Sequence, residues 1–155
     1  MATVFDVKGS ELIKEISADL KEKVKEPGFA RFVKTGRHRE RAPSQKDWYY
    51  TRMAAILRRI YIEGPLGTQR LRSYFGGKRN RGSAPAHFYK ASGKIVRLCL
   101  QELEKLGLIK KQKKGRSISA KGEKYLSEKT KIVLTKMKKG TEHGRTGGIE
   151  GAEAH

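Results

Sequence analysis

Between Glu63 and Glu102 the chain carries no acidic residue. The same span holds Arg70, Arg72, Lys78, Arg79, Arg81, Lys90, Lys94 and Arg97, with Tyr74, Phe75, Phe88 and Tyr89 among them. Its middle reads Gly76-Gly77-Lys78-Arg79-Asn80-Arg81-Gly82. That local charge is costly to fold unless an anionic partner neutralises it. Basic side chains on a pliable, aromatic-studded backbone point to nucleic acid as the partner.

The whole chain agrees with the segment. It has 155 residues, with 36 Lys and Arg against 16 Asp and Glu, a formal net charge of +20. Such a charge attracts polyanions and opposes self-association, so a monomer is expected away from any partner. The length fits one domain with tails, expected over residues 1–139, followed by a Gly- and Glu-rich tail over 140–155 that is expected to be disordered. No run of about 18 apolar residues exists, so no transmembrane helix and no membrane partner are expected. Asp6 and Lys8 break any signal-peptide pattern. The single cysteine, Cys99, excludes an internal disulfide and fits a reducing cytosol. Its neighbours Ile95, Val96, Leu98 and Leu100 make it a core residue rather than a reactive thiol.

Apolar spacing predicts five helices. The first covers about Ser10 to Lys25, with Leu12, Ile13, Ile16, Leu20 and Val24 as its stripe, and stops at Pro27-Gly28. Phe29 to Lys46 has no period and reads as a long basic loop whose start is anchored by Phe29 and Phe32. The second helix begins at an Asp47 cap and ends before Gly64-Pro65, burying Trp48, Ala55, Ile56, Ile60 and Tyr61, with Arg52, Arg58 and Arg59 facing outward. A short third helix runs from a Thr68 cap to Phe75. Gly76 to Ser92 is expected to be a loop with a turn near Ala86 to Tyr89. The fourth helix, about Ser92 to Leu106, has an arc of Ile95, Leu98, Cys99, Glu102, Leu103 and Leu106. Opposite lies a polar stripe of Lys94, Arg97, Gln101 and Lys105. Leu108 to Lys111 and Ser117 to Ser119 flank a turn at Lys113-Lys114-Gly115, the pattern of a short β-hairpin. Ser119 then caps a fifth helix through Tyr125, Leu126, Ile132, Val133 and Met137. The order of helix, short helix, helix and basic hairpin is that of a winged helix-turn-helix, so the expected fold is mainly α, with a winged core, an extra N-terminal helix and a small β-hairpin wing.

No catalytic constellation is present. His38, His87, His143 and His155 lie in basic loops or the tail, and none has a Cys or carboxylate at metal-ligand spacing. No enzyme activity, metal or cofactor is expected. Gly64-Pro65-Leu66-Gly67 spells G-x-x-G, but Pro65 lacks the N–H a phosphate clamp would use, and a turn between helices is the simpler reading. The Gly76–Gly82 run lacks the Lys-Ser or Lys-Thr of a phosphate-binding P-loop. Its glycines still allow close backbone approach to phosphates, and its arginines can grip them bidentately. Trp48 reads as core. Tyr49, Tyr50 and Tyr89 stay open as base-stacking groups.

Several runs together resemble the eukaryotic and archaeal small-subunit ribosomal protein family numbered nineteen. They are Arg31-Phe32-Val33-Lys34-Thr35-Gly36, Asp47-Trp48-Tyr49-Tyr50-Thr51-Arg52, Tyr61-Ile62-Glu63-Gly64-Pro65-Leu66-Gly67 and Tyr74-Phe75-Gly76-Gly77. Arg81-Gly82, Pro85, His87-Phe88, Leu100-Gln101-Glu102-Leu103-Glu104, Gly115-Arg116, Ser117-Ile118-Ser119 and Lys121-Gly122 continue the match in register, over roughly Val4 to Leu126. The resemblance implies a winged-helix protein in the head of the small subunit, cytoplasmic, bound to ribosomal RNA and neighbouring ribosomal proteins. It also implies a part in subunit maturation. The RNA-facing surface it implies maps to Arg52, Arg58 and Arg97, with the Lys34–Arg41 and Gly76–Gly82 loops. The candidate RNA-binding residues are therefore Lys34, Arg37, Arg39, Arg41, Arg52, Arg58, Arg70, Arg72, Lys78, Arg79, Arg81, Lys94 and Arg97. High Lys and Glu content suits an archaeal source. The alternative reading is a winged-helix DNA-binding regulator, which would concentrate its contacts on one recognition helix and the wing. A third is an assembly factor that leaves the ribosome.

Overall fold

A computed structural model describes residues 3–143, so the tail expected from Gly140 onward lies, past His143, outside the described residues. Five helices and two hairpins follow one another: α1 (Gly9–Lys23), α2 (Trp48–Glu63), α3 (Thr68–Tyr74), β1 (Gly77–Arg81), β2 (Ala84–Tyr89), α4 (Gly93–Lys105), β3 (Ile109–Gln112), β4 (Gly115–Ile118) and α5 (Ala120–His143). The chain is mainly helical, and α2, α3, α4 and the β3–β4 wing form the winged core, with α1 added before it.

The central element is α2. It buries Trp48, Tyr49, Tyr50, Met53, Ala54, Ile56, Leu57 and Ile60, and packs against α1, α4 and β4. So many buried positions over four turns leave only a narrow strip for charge. Ala55 and Tyr61, expected in the core, are half-buried at its edge. Trp48 is core as expected, with its indole N–H donating to the Ala30 carbonyl at 3.2 Å. Tyr49 and Tyr50 are also buried, and Tyr50 donates its hydroxyl to the Val24 carbonyl at 3.0 Å, so neither is a stacking platform. Asp47 does precede α2, but its carboxylate pairs with Lys21 at 2.9 Å instead of capping the helix.

Helix α1 presents Leu12, Ile16 and Leu20, all fully buried. It begins at Gly9, so Ser10 is inside the helix and not its cap, and it ends at Lys23, where Val24 turns extended. After Pro27 a 3-10 turn, Gly28–Arg31, buries Ala30. On α4 the buried arc is Ile95, Val96, Cys99, Leu100 and Leu103. Leu98, Glu102 and Leu106 are half-buried, so the expected arc is rotated by part of a turn. Cys99 is fully enclosed, and burial pushes its thiol up to about 12, which leaves it an inert core residue. Helix α3 begins after Gly67, with Thr68 as its first residue and Phe75 just beyond its end.

Gly76 to Ser92 is not a loop. Its residues form the antiparallel hairpin β1–β2, pairing Gly77 with Tyr89, Lys78 with Phe88 and Arg79 with His87, with a register shift between Arg79 and Arg81. The hairpin turns at Gly82, which has φ +70°. Its strands are almost wholly exposed, so no face buries apolar side chains and no period-two signal exists in the sequence. It is a sheet of its own, separate from the wing.

The wing lies where expected, with Ile109 opposite Ile118 and Gln112 opposite Gly115. It is tied to the α2–α3 turn by an antiparallel bridge between Leu66 and Arg116, so the G-x-x-G run is indeed an inter-helix turn. Gly115 makes that tie possible. Its φ is +130°, and a Cβ there would stand 2.7 Å from the Leu66 carbonyl carbon. Ser119 caps α5 by accepting the Gly122 N–H at 3.1 Å. Helix α5 buries Leu126 and Val133 and packs on α1, while Ile132 is 40% exposed.

Candidate nucleic-acid interface

The narrow charged strip of α2 carries Arg52 and Arg59, seven residues apart and therefore on one side of the helix. Each lies over an aromatic ring. The Arg52 guanidinium carbon is 4.1 Å from the Phe75 ring centre and that of Arg59 is 4.0 Å from Tyr74. Tyr74 and Phe75 meet edge to face at 4.9 Å. Two arginines and two aromatics thus form one array at the join of α2 and α3, where guanidinium and ring attract one another. Arg59 also pairs with Glu63, whereas Arg52 has no carboxylate partner among the described residues. Arg59 is absent from the sequence-derived set, and its spacing from Arg52 was the available signal.

Beside Arg52 opens a cleft of about 880 Å³. The loop over residues 38–45 forms one wall, with Arg39, Glu40 and Arg41. α2 gives Trp48, Thr51 and Ala55, and Phe75 with Lys78 and Asn80 closes the other side. The loop is held in place by backbone. The Ser92 N–H donates to the Thr35 carbonyl at 2.9 Å, and Gly36 bridges to Ala91. His38 is the wedge between loop and hairpin. A Cβ at Gly36 would lie 2.8 Å from its Nδ1, and one at Gly77 would lie 3.1 Å from its Cδ2. Both glycines are there because the imidazole occupies that space. Burial, and then the charges of Arg39 and Arg52, lower the His38 pKa, so the ring is neutral at physiological pH.

The other candidates fall into smaller groups. Arg37 lies over Tyr89 at 4.7 Å, which answers the open question on that ring: one face takes a guanidinium. Lys94 stands over Phe29 at 4.5 Å and lines a second groove with Lys34 and Phe32, a side chain that is 84% exposed. Arg72 and Arg97 meet over the first residue of α4, where a Cβ at Gly93 would lie 3.0 Å from Arg97 Nη1 and 3.3 Å from Arg72 Nε. Arg72 is partly committed to the fold, since its Nε donates to the Ala91 carbonyl at 3.0 Å. Arg70, on α3, is exposed. Lys78, Arg79 and Arg81 ride on β1, and Arg81 Nε donates to the Pro85 carbonyl at 3.0 Å across the hairpin turn.

Arg58 is not in this group. It lies six residues after Arg52, roughly 120° around the helix. Its guanidinium carbon packs against Gly9 at the start of α1, 2.8 Å from where a Cβ would be. The exposed aromatics among the described residues are Phe5, Phe32, Tyr74 and Phe88 rather than the tyrosines singled out in the sequence.

A basic surface built from one loop, a hairpin, α2, α3 and the start of α4 is spread over many elements, unlike the single recognition helix of a DNA reader. Comparison with known proteins narrows the reading. Residues 3–136 match the family described as ribosomal protein S19e. The chain belongs to the ribosomal protein S19e family. It is 42% identical to the small ribosomal subunit protein eS19 of Aeropyrum pernix over 90% of this chain and 94% of that relative. It is also 42% identical to the protein of the same name from Thermoplasma volcanium, over 88% of this chain and 93% of the relative. The eS19 of Oryza sativa subsp. japonica is likewise 42% identical, over 81% and 88%. Family membership makes the chain a ribosomal protein of structural, not catalytic, kind, and sets its place at the ribosome.

Proposed function

We propose that this S19e protein is a structural part of the small-subunit head that docks on ribosomal RNA through the surface around Arg52, and that it supports maturation of the subunit. The observation that carries the reading is the gathering of Arg39, Arg41, Arg52 and Lys78 about one cleft with Glu40 as the only carboxylate on its walls. Arg37, Lys34, Lys94, Arg72 and Arg97 extend the surface on either side. Phosphate contacts position a protein on RNA, and irregular, loop-rich RNA suits a docking surface assembled from several elements. Neighbouring ribosomal proteins would meet the faces that carry less charge, and the free chain would be a monomer because of its net charge.

Sedimentation in a sucrose gradient tests this. The protein should travel with mature small subunits and persist in polysomes, and Arg52→Glu should shift it toward the free fractions. Recovery only from pre-ribosomal fractions would favour a departing assembly factor. A sequence-dependent footprint on duplex DNA would favour the regulator.

A further inference from the structure

Arg52 is half-buried and makes no hydrogen bond or ion pair among the described residues. Three other half-buried arginines have an acceptor: Arg59 in Glu63, Arg72 in the Ala91 carbonyl and Arg116 in Glu104. Burial disfavours the Arg52 charge, and Arg39 adds repulsion. Its one charge-stabilising contact among the described residues is the Phe75 ring, so its N–H groups have no protein acceptor there, and an anionic ligand in the cleft would supply one. Next to it, His38 Nδ1 is enclosed and has no hydrogen-bond partner. His38 and Arg52 both line the same cleft.

The cleft is far larger than a phosphate needs and falls within the range of small-molecule sites. Its lining includes the apolar side chains of Phe75, Ala55 and Trp48, while Asn80 and Gln45 offer both a donor and an acceptor. Cations, a stacking surface and amide groups together suit a nucleotide and not a bare anion. Unstacked bases of RNA loops are held in this way, on aromatic rings or guanidinium planes.

We propose that this cleft takes one unstacked nucleotide of an RNA loop, its base laid over the Arg52–Phe75 stack and its phosphate among Arg39, Arg52 and Lys78. This rests on reading the surface as an rRNA dock and adds to it a single-nucleotide pocket. Glu40 on the wall forms no ion pair among the described residues, and its carboxylate would be an acceptor for a ligand hydroxyl. The nucleotide phosphate would stabilise the protonated form of His38, so binding and His38 protonation reinforce one another. Arg39, Arg52 and Glu40 are the charges that face that coupling.

Trp48 is the chain's single tryptophan and lines the cleft, so its indole N–H signal in NMR reports on occupancy directly. The full-length free protein is titrated with adenosine monophosphate and, separately, with inorganic phosphate. Adenosine monophosphate should give a saturable shift of the Trp48 indole and Arg52 Nε–H signals. Arg52→Lys should weaken it by at least about fivefold, the lower end of what one base stack is worth. Arg52→Gln provides a second reading should the lysine disturb the fold, and Lys131→Gln, exposed on α5, should leave the affinity unchanged. Inorganic phosphate binding as tightly as the nucleotide would reduce the cleft to an anion site and overturn the proposal, as would nucleotide affinity that ignores Arg52 or a shift that never saturates. Sedimentation of the native protein separates the two claims. Failure to bind the nucleotide while the protein still travels with small subunits removes the pocket alone. Nucleotide binding without any association with subunits removes the docking reading.

Discussion

Arg116 on the wing donates from Nε to the Glu104 carboxylate at the end of α4, at 2.6 Å, with both side chains less than a third exposed. The same guanidinium reaches Thr68 Oγ1 at 3.4 Å, so one side chain joins β4, α4 and the start of α3. This is a basic residue used by the fold and not by a ligand. Arg116→Met should destabilise the protein by about 1.5–3 kcal/mol, as expected for a hydrogen bond to a charged group that is largely shielded. Chemical denaturation at neutral pH measures it, and a loss below experimental error would mean that the wing does not depend on the pair.

The Leu66–Arg116 bridge beneath that pair depends on Gly115. An added methyl meets the Leu66 carbonyl carbon at 2.7 Å and must also adopt φ +130°. Gly115→Ala should cost more than about 1 kcal/mol, the level at which an incompatible backbone outweighs the entropy gained by losing a glycine. Hydrogen exchange should show faster opening of the Leu66 and Arg116 amides, with α1 and α5 unchanged.

Asp19 joins α1 to α5. Burial works against its charge, but hydrogen bonds from Lys129, Lys23 and Tyr125 bring its carboxyl down from an ordinary 3.8 to about 2. The distances are 2.6 Å to Lys129, 2.6 Å to Lys23 and 2.7 Å to Tyr125. A depressed carboxyl contributes stability that is fully present above pH 3.8 and is lost as the pH falls through 2. The size is about 2 kcal/mol. Unfolding free energies from pH 5 downward should therefore decline in the native protein, while Asp19→Asn starts lower and lacks that component of the decline.

Trp48 fills the space between α2 and the Gly28–Arg31 turn, with 8% of its surface exposed and its N–H bound to Ala30. Trp48→Ala should cost about 3–5 kcal/mol by leaving a cavity and an unpaired carbonyl. Thermal unfolding followed by circular dichroism reads it directly, and a melting temperature near that of the native protein would count against a core role.

The helices and the wing were legible because each buries a face with a period. Leu12, Ile16 and Leu20 on α1, and Ile95, Cys99 and Leu103 on α4, are enough to place both. The β1–β2 hairpin was not, because Lys78, Asn80 and Arg81 all meet solvent and its supports, Arg37 over Tyr89, His38 and the Gly36–Ala91 bridge, come from the loop before α2. The site shows the same division. Arg52 was legible as a charge interrupting an apolar helix, but Phe75 as its partner required the α2–α3 turn to fold. Tyr49 and Tyr50 next to Trp48 gave no sign of which ring faces inward, since a run of three aromatics outnumbers the positions that one helical face can bury. All three are buried because α2 is enclosed on three sides, by α1, α4 and β4.

Arg97 and Arg116 differ in partners, and this separates charge that binds RNA from charge that builds the protein. Arg97 is exposed at the start of α4, beside Arg72 and without a carboxylate among the described residues. Arg116 is neutralised by Glu104. Each phosphate neutralised contributes about −0.7 to −0.9 to the slope of log affinity against log salt concentration. Arg97→Gln should therefore lower affinity for small-subunit rRNA and make that slope shallower by roughly 0.7–0.9. Arg116→Gln should lower stability and leave the slope as it was. Filter binding of both variants across a salt series gives the comparison, and equal slopes for Arg97→Gln and the native protein would take Arg97 out of the docking surface.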